Sequence, residues 1–178
     1  MAIVLGTNSG FVKIRPTTNP SGTSFIADNF ATYFKCTTPY GTIKVTEIGV
    51  YIATAWEDTT LEIGIYTSDG NPDSLINKEV YDLTSSGWKI APMELTLSSN
   101  TDYWLAFQID NTGNATRADK TGLSGGVLKQ NTATTLLERP SNPNINHSNT
   151  ICAIYALYTA HPVIKGIRTI QGVSTIEM

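Results

Sequence analysis

Leu61-Glu62-Ile63-Gly64-Ile65-Tyr66 alternates with a period of two, and its odd positions are all apolar. Alternation of that kind is the mark of a strand with one face on a core. Thr46-Glu47-Ile48-Gly49-Val50-Tyr51-Ile52 repeats the pattern with the even positions apolar. Tyr103-Trp104-Leu105-Ala106-Phe107-Gln108-Ile109 is apolar on both faces apart from Gln108, and Ile151–Tyr158 is similar. Such runs read as central strands covered on both sides. Turn signals separate them: Asp69-Gly70-Asn71-Pro72, Ser85-Ser86-Gly87 and Ser98-Ser99-Asn100. Short strands punctuated in this way predict a sandwich or barrel. No window carries a capped helical stripe, although one helical turn fits at Asp73–Ile76.

The expected fold is therefore all-β: an antiparallel β-sandwich, jelly-roll-like, with ordered terminal extensions. The 178 residues suit one domain over 1–160, followed by a C-terminal arm over 161–178. Met1–Gly6 is apolar but lacks a basic leader, and it reads as a first strand rather than a signal peptide. Residues 110–150 are polar, with weak strand signals near 115–121, 127–129 and 134–138 and an exposed excursion around Pro140–Asn149. The arm carries Val163, Ile164, Ile167 and Ile170, too apolar for a solvated tail, and it is expected to pack on a neighbouring subunit. Its side chains would supply an assembly contact by adding a strand to a neighbour's sheet edge.

Charged residues are only 15% of the chain and the formal net charge is −3. No Lys/Arg run marks a nucleic-acid footprint, and no apolar stretch reaches the roughly 20 residues that span a bilayer. Neither nucleic acid nor membrane insertion is expected. Cys36 and Cys152 each fall in an expected strand and read as small buried hydrophobes, with a disulfide as the alternative.

No catalytic set assembles from the residues. The two histidines, His147 and His161, lie in an Asn-rich loop and before a proline, away from any nucleophile elbow. Glu47, Glu62 and Glu94 occupy polar strand positions, where solvated outer-face carboxylates are the default. Ser124-Gly125-Gly126 reads as a turn rather than a phosphate cradle. Asp69–Asp73 places oxygens at alternate positions, but Pro72 and the missing closing Glu make it an ordinary turn rather than a calcium loop. No metal, cofactor or enzymatic activity is expected.

Flat aromatic rings can seat a sugar ring. Trp56, between two strands and beside acidic residues, is the candidate platform; the plain alternative is a ring folded over the core edge. Tyr51 and Tyr66 fall on the non-core side of their strands and are expected to form a second exposed or interface patch. Trp104 reads as core, and Trp88 as a plug at one end of the sandwich.

Ile65-Tyr66-Thr67-Ser68-Asp69-Gly70-Asn71-Pro72-Asp73-Ser74-Leu75, then Gly87-Trp88, then Thr101-Asp102-Tyr103-Trp104-Leu105-Ala106, resembles a β-sandwich module of bacterial surface and phage proteins. That group carries an "IYxxxGxPxSL" turn and a "TxYWLA" strand. The resemblance covers about the middle third of the chain and implies no catalytic residue. What it implies is a virion-associated role: a decoration, tail or appendage subunit, forming a homo-oligomer or binding other virion proteins. The alternative is a carbohydrate-binding module or adhesin that meets a glycan on a virion or cell surface.

Overall fold

The computed structural model describes residues 1–26, 30–55, 59–110, 117–132 and 145–161. Among them there are eleven strands and no helix: β1 (Gly10–Val12), β2 (Thr23–Ile26), β3 (Phe30–Thr37), β4 (Thr42–Thr54), β5 (Thr59–Ser68), β6 (Pro72–Leu83), β7 (Gly87–Leu97), β8 (Asp102–Asp110), β9 (Arg117–Thr132), β10 (Ile145–Cys152) and β11 (Ile154–His161). The chain folds as an antiparallel-dominated β-sandwich.

The strand pairs are nested. β5 pairs with β6 through the Asp69–Asn71 turn, β4 with β7, and β3 with β8, all antiparallel. β8 also lies beside β5, and β11 beside β4. The result is a layer β1-β11-β4-β7 facing a layer β9-β3-β8-β5-β6. This winding of hairpin pairs from one layer to the other is that of a jelly roll, except that short β1 runs parallel to β11. β9 joins the layers at one corner. Its first residues pair with β2 and the end of β4, and its later ones with β3. β10 follows β9 through the corner, with a register shift between Ser148 and Thr150 where Asn149 takes a φ of 57°.

The core lies between the layers. Ile48, Val50 and Ile52 of β4 meet Leu61, Ile63 and Ile65 of β5 and Tyr103, Leu105, Phe107 and Ile109 of β8, as the alternation predicts. Ile43 and Val45 also face inward, on the opposite phase of β4. The phase changes at Thr46, where the ladders to β7 and to β11 both shift register. A bulge there swaps the faces of everything that follows.

Two expected elements differ. Met1–Gly6 is not a strand; a turn over Leu5–Ser9 takes its place. Gly6 has a φ of 74°, and the Asn8 side chain accepts from Val4 N (2.6 Å) and donates to Ala2 O (2.9 Å). Those backbone groups are thereby withdrawn from any ladder. Asp73–Ile76 forms no helical turn but lies in β6, where Leu75 pairs with Tyr66 and Asn77 with Ile65. Of the weak strand signals, that near 115–121, from Arg117 onward, and that near 127–129 fall in the single long β9. The signal at 134–138 lies outside the described residues.

Tyr155 of β11 pairs directly with Gly49 of β4, and its ring fills the space above that glycine. A Cβ at position 49 would stand 2.3 Å from ring carbon Cε1. Gly49→Ala is therefore expected to destabilise the fold by about 1–3 kcal/mol, as overpacking does. Gly122→Ala should cost much less, since its Cβ would come no nearer than 3.8 Å to Asn149 O. Urea unfolding of both variants checks this, and equal midpoints would contradict the close packing at Gly49.

Candidate functional site

Both sandwich layers bury residues on their outer faces as well as between them. On the β3-β8-β5 face, the register places Tyr66 opposite Trp104 on one side and Leu75 on the other. Tyr66 also meets Tyr33 edge to face, with centroids 5.5 Å apart. Trp104 Nε1 donates to Ser68 Oγ at 3.0 Å, and the Lys129 ammonium lies 5.5 Å from its ring centre while donating to Asn71 Oδ1. Ala31 and Ala106 complete this second cluster. The expectation that Tyr66 is exposed is thus corrected: it is fully buried. Strand alternation says which face a residue takes, but large cross-strand neighbours decide whether water reaches it. Trp104 is buried as expected, but on this outer face and not between the layers.

On the β11-β4-β7 face, Tyr51 is likewise buried rather than exposed. It pairs in register with Trp88, their rings 5.5 Å apart, and Trp88 in turn lies 5.1 Å from Tyr155. Tyr155 OH donates to Glu47 Oε1 at 2.7 Å. Arg15 grips the same carboxylate with both arms of its guanidinium, Nε at 2.7 Å from Oε1 and Nη2 on Oε2. Trp88 Nε1 donates to Thr18 O at 3.2 Å, and the terminal ammonium to Asn19 O at 3.0 Å. Trp88 thus pins the N-terminal extension to the outside of the sandwich, a role different from an end plug. Expected strand phase alone could not reveal this assembly, since Arg15 and Tyr155 approach Glu47 from distant parts of the chain.

The carboxylates need a second correction. Glu94 is exposed, as the default predicts, but Glu47 and Glu62 are buried. Each is held by a cation, Glu47 by Arg15 and Glu62 by Lys78 at 2.8 Å. They lie on opposite outer faces of the sandwich, so they form no acid–base pair with each other. Burial pushes the Tyr155 phenol up, and its bond to Glu47 adds to the effect; Glu47 in turn raises Arg15. The Tyr66 phenol is pushed up by burial first and then by Tyr33 and Glu62.

A third surface is apolar and open. Val4, Leu5, Ile14 and Tyr40 are exposed, Ile14 at 80%. Two adjoining hollows share Gly6 and Phe11. One, of about 390 Å³, is lined by Leu5, Cys36, Thr37 and Pro39; the other, of about 430 Å³, by Thr7, Lys13, Ile14 and Tyr158. Phe11 and Tyr158 meet edge to face at 6.2 Å between them.

The remaining candidates are dispersed. Cys36 and Cys152 are both free and buried, and burial pushes both thiols up. His161 is exposed at the end of β11. Ser124-Gly125-Gly126 is not a turn but part of β9; at Gly126 a Cβ would stand 2.7 Å from Thr150 O. The Asp69–Asp73 stretch is the β5–β6 hairpin turn, closed by Asp69 Oδ1 accepting from Asn71 N and Asp73 Oδ2 from Thr67 Oγ1. Among the described residues no group of three His, Cys, Asp or Glu side chains could hold a metal ion, and no helix is long and apolar enough to cross a membrane. Trp56, Val163, Ile164, Ile167, Ile170 and the His147 side chain lie outside the described residues. No protein-family model matches the chain, and no curated protein or solved structure matches it. The likeness to phage and bacterial surface modules rests on its motif residues alone.

Two outcomes follow. Glu47→Ala strips Tyr155 and Arg15 of their acceptor and is expected to cost about 1–3 kcal/mol, the usual penalty for a buried polar group left without its bond. Glu94→Ala on the exposed face should stay within about 0.5 kcal/mol of the parent; chemical denaturation of the two compares them. The raised phenols, like the raised thiols of Cys36 and Cys152, make the fold lose stability in alkali. An unfolded tyrosine ionises near about pH 10, whereas Tyr66 and Tyr155 keep their protons to higher pH in the folded state. Their contribution is fully present below that pH and is lost as pH rises beyond it, because the unfolded chain then binds fewer protons. In an ultraviolet absorbance titration, part of the ionisation of the eight tyrosines should appear only together with alkaline unfolding. Reversible ionisation of all eight in the folded protein would contradict it.

Proposed function

We propose that the chain is a non-enzymatic structural and interaction subunit of a phage-like particle, a decoration, tail or appendage protein that acts in the virion. It assembles with copies of itself and with other virion proteins, through the sandwich surface and its terminal arms. The observation that carries this reading is the apolar surface at the two adjoining hollows, where exposed Leu5 and Ile14 stand beside Phe11 and Tyr158. Contiguous exposed apolar surface costs solubility unless a partner covers it. The apolar arm from Val163 onward supports the same reading from the sequence. So does the resemblance to virion-associated sandwiches.

A carbohydrate-binding module or adhesin draws less support. Two of its three aromatic candidates, Tyr51 and Tyr66, are buried against other side chains and present no open platform. Light scattering on the full chain separates the two readings. A solution mass that is a multiple of 19.3 kDa is the expected result. A monomer that gives hits on a glycan array would replace the assembly subunit with the sugar-binding module.

A further inference from the structure

The end surface has an open backbone edge as well as apolar side chains. β1 covers one side of β11 only from Tyr155 to Leu157. Beyond that, among the described residues, Tyr158–His161 pair with β4 on one side and with no strand on the other. One hollow, with Ile14 and Phe11, reaches this edge at Tyr158, and the other, with Leu5, adjoins it through Gly6 and Phe11. Unpaired N–H and C=O groups next to apolar hollows are what strand addition needs: the ladder binds any extended chain, and the hollows select its side chains.

The chain itself carries a segment of that chemistry. After Pro162 the sequence repeats in triplets: Ile164-Lys165-Gly166, Ile167-Arg168-Thr169, Ile170-Gln171-Gly172, Val173-Ser174-Thr175, Ile176-Glu177-Met178. An apolar β-branched residue stands first in each. Along an extended chain, a spacing of three sends Ile164, Ile170 and Ile176 to one face and Ile167 and Val173 to the other. A strand of that pattern wants cover on both faces. The side chains between are short or polar, so the pattern offers a few bulky anchors at wide intervals, for two adjoining hollows.

His161, the residue before Pro162, pairs with Thr42, and its carbonyl oxygen comes within 3.0 Å of a Cβ built on Gly41. A residue before proline favours extended backbone over a tight turn. To lie along the β11 edge of its own copy, the arm would have to reverse directly after His161. A second copy can bring its arm to the surface without that reversal.

We infer that the open edge of β11 and the hollows around Phe11 are the acceptor for residues 162–178 of a second copy of this chain. This rests on the assembly reading above and names its contact. Because donor and acceptor are different parts of one chain, the contact either repeats head to tail, into a ring or a filament, or is exchanged reciprocally in a two-fold dimer.

Three full-length proteins test it. Ile14→Asp alters the acceptor at a position so exposed that folding does not depend on it, with Leu5→Ser as a second acceptor variant. Ile164→Ser, Ile167→Ser and Ile170→Ser together alter the donor. Sedimentation over a concentration series should show an oligomeric wild type, with association of either class of variant weakened at least tenfold. An equimolar mixture of Ile14→Asp with the donor variant keeps one intact arm and one intact acceptor, and is expected to form a two-chain species. An arm that docks on its own domain leaves that mixture monomeric and overturns the inference. Association unchanged in both acceptor variants but lost in the donor variant also overturns it, while leaving assembly through the arm standing. A wild type that is monomeric at every concentration overturns the inference and self-assembly together.

Discussion

The bulge at Thr46 decides what the rest of the sandwich can do. Before it, Ile43 and Val45 of β4 face the core; after it, Ile48, Val50 and Ile52 do. Without that one-residue shift, Glu47 would share the inner face with Val45, and a buried carboxylate would sit among aliphatic side chains at a cost of several kcal/mol. With it, Glu47, Gly49 and Tyr51 all turn outward. Glu47 then reaches Arg15 and Tyr155, Gly49 leaves room for the Tyr155 ring, and Tyr51 meets Trp88 edge to face. One local irregularity thus gives the layer two useful faces.

The outer face so made is a second zone of burial. The N-terminal extension crosses it, held by Arg15 on Glu47 and by Trp88 on the Thr18 carbonyl. The other layer has its own outer cluster of Tyr33, Tyr66 and Trp104, with Lys129 above the indole. Rings and cations that resemble a ligand platform in the sequence are thereby used on the protein itself. Among the described residues, open apolar surface remains where β1 stops short of β11, with exposed Leu5 and Ile14 and the single charge of Lys13 at its hollows. An aliphatic surface beside a free strand edge favours a polypeptide partner over a sugar, since a sugar needs directed polar groups as well as a ring.

The alternation in 46–52 and 61–66 was legible because strand periodicity is local: each side chain's face follows from its neighbour's. The same holds for the two-faced apolar run at 103–109, whose residues divide between the core and the outer cluster. Cys36 and Cys152 were legible as small buried residues for the same reason. Tyr51, Tyr66, Glu47 and Glu62 were misread as exposed because the rule for polar strand positions assumes that the outer face meets water. Nothing adjacent to Glu47 in the chain announces Arg15, 32 residues away, or Tyr155, 108 residues away.

The sequence by itself determined the all-β class and the positions of the main core strands, because each depends on composition and on a period of two within a few residues. Only the tertiary structure decided the nested pairing, the corner made by β9, the burial of both outer faces and the open edge at Tyr158–His161. Those depend on which distant segments come to lie side by side. Local alternation carries no information about that, because the same strand pattern satisfies many neighbours until the whole chain has closed around its core.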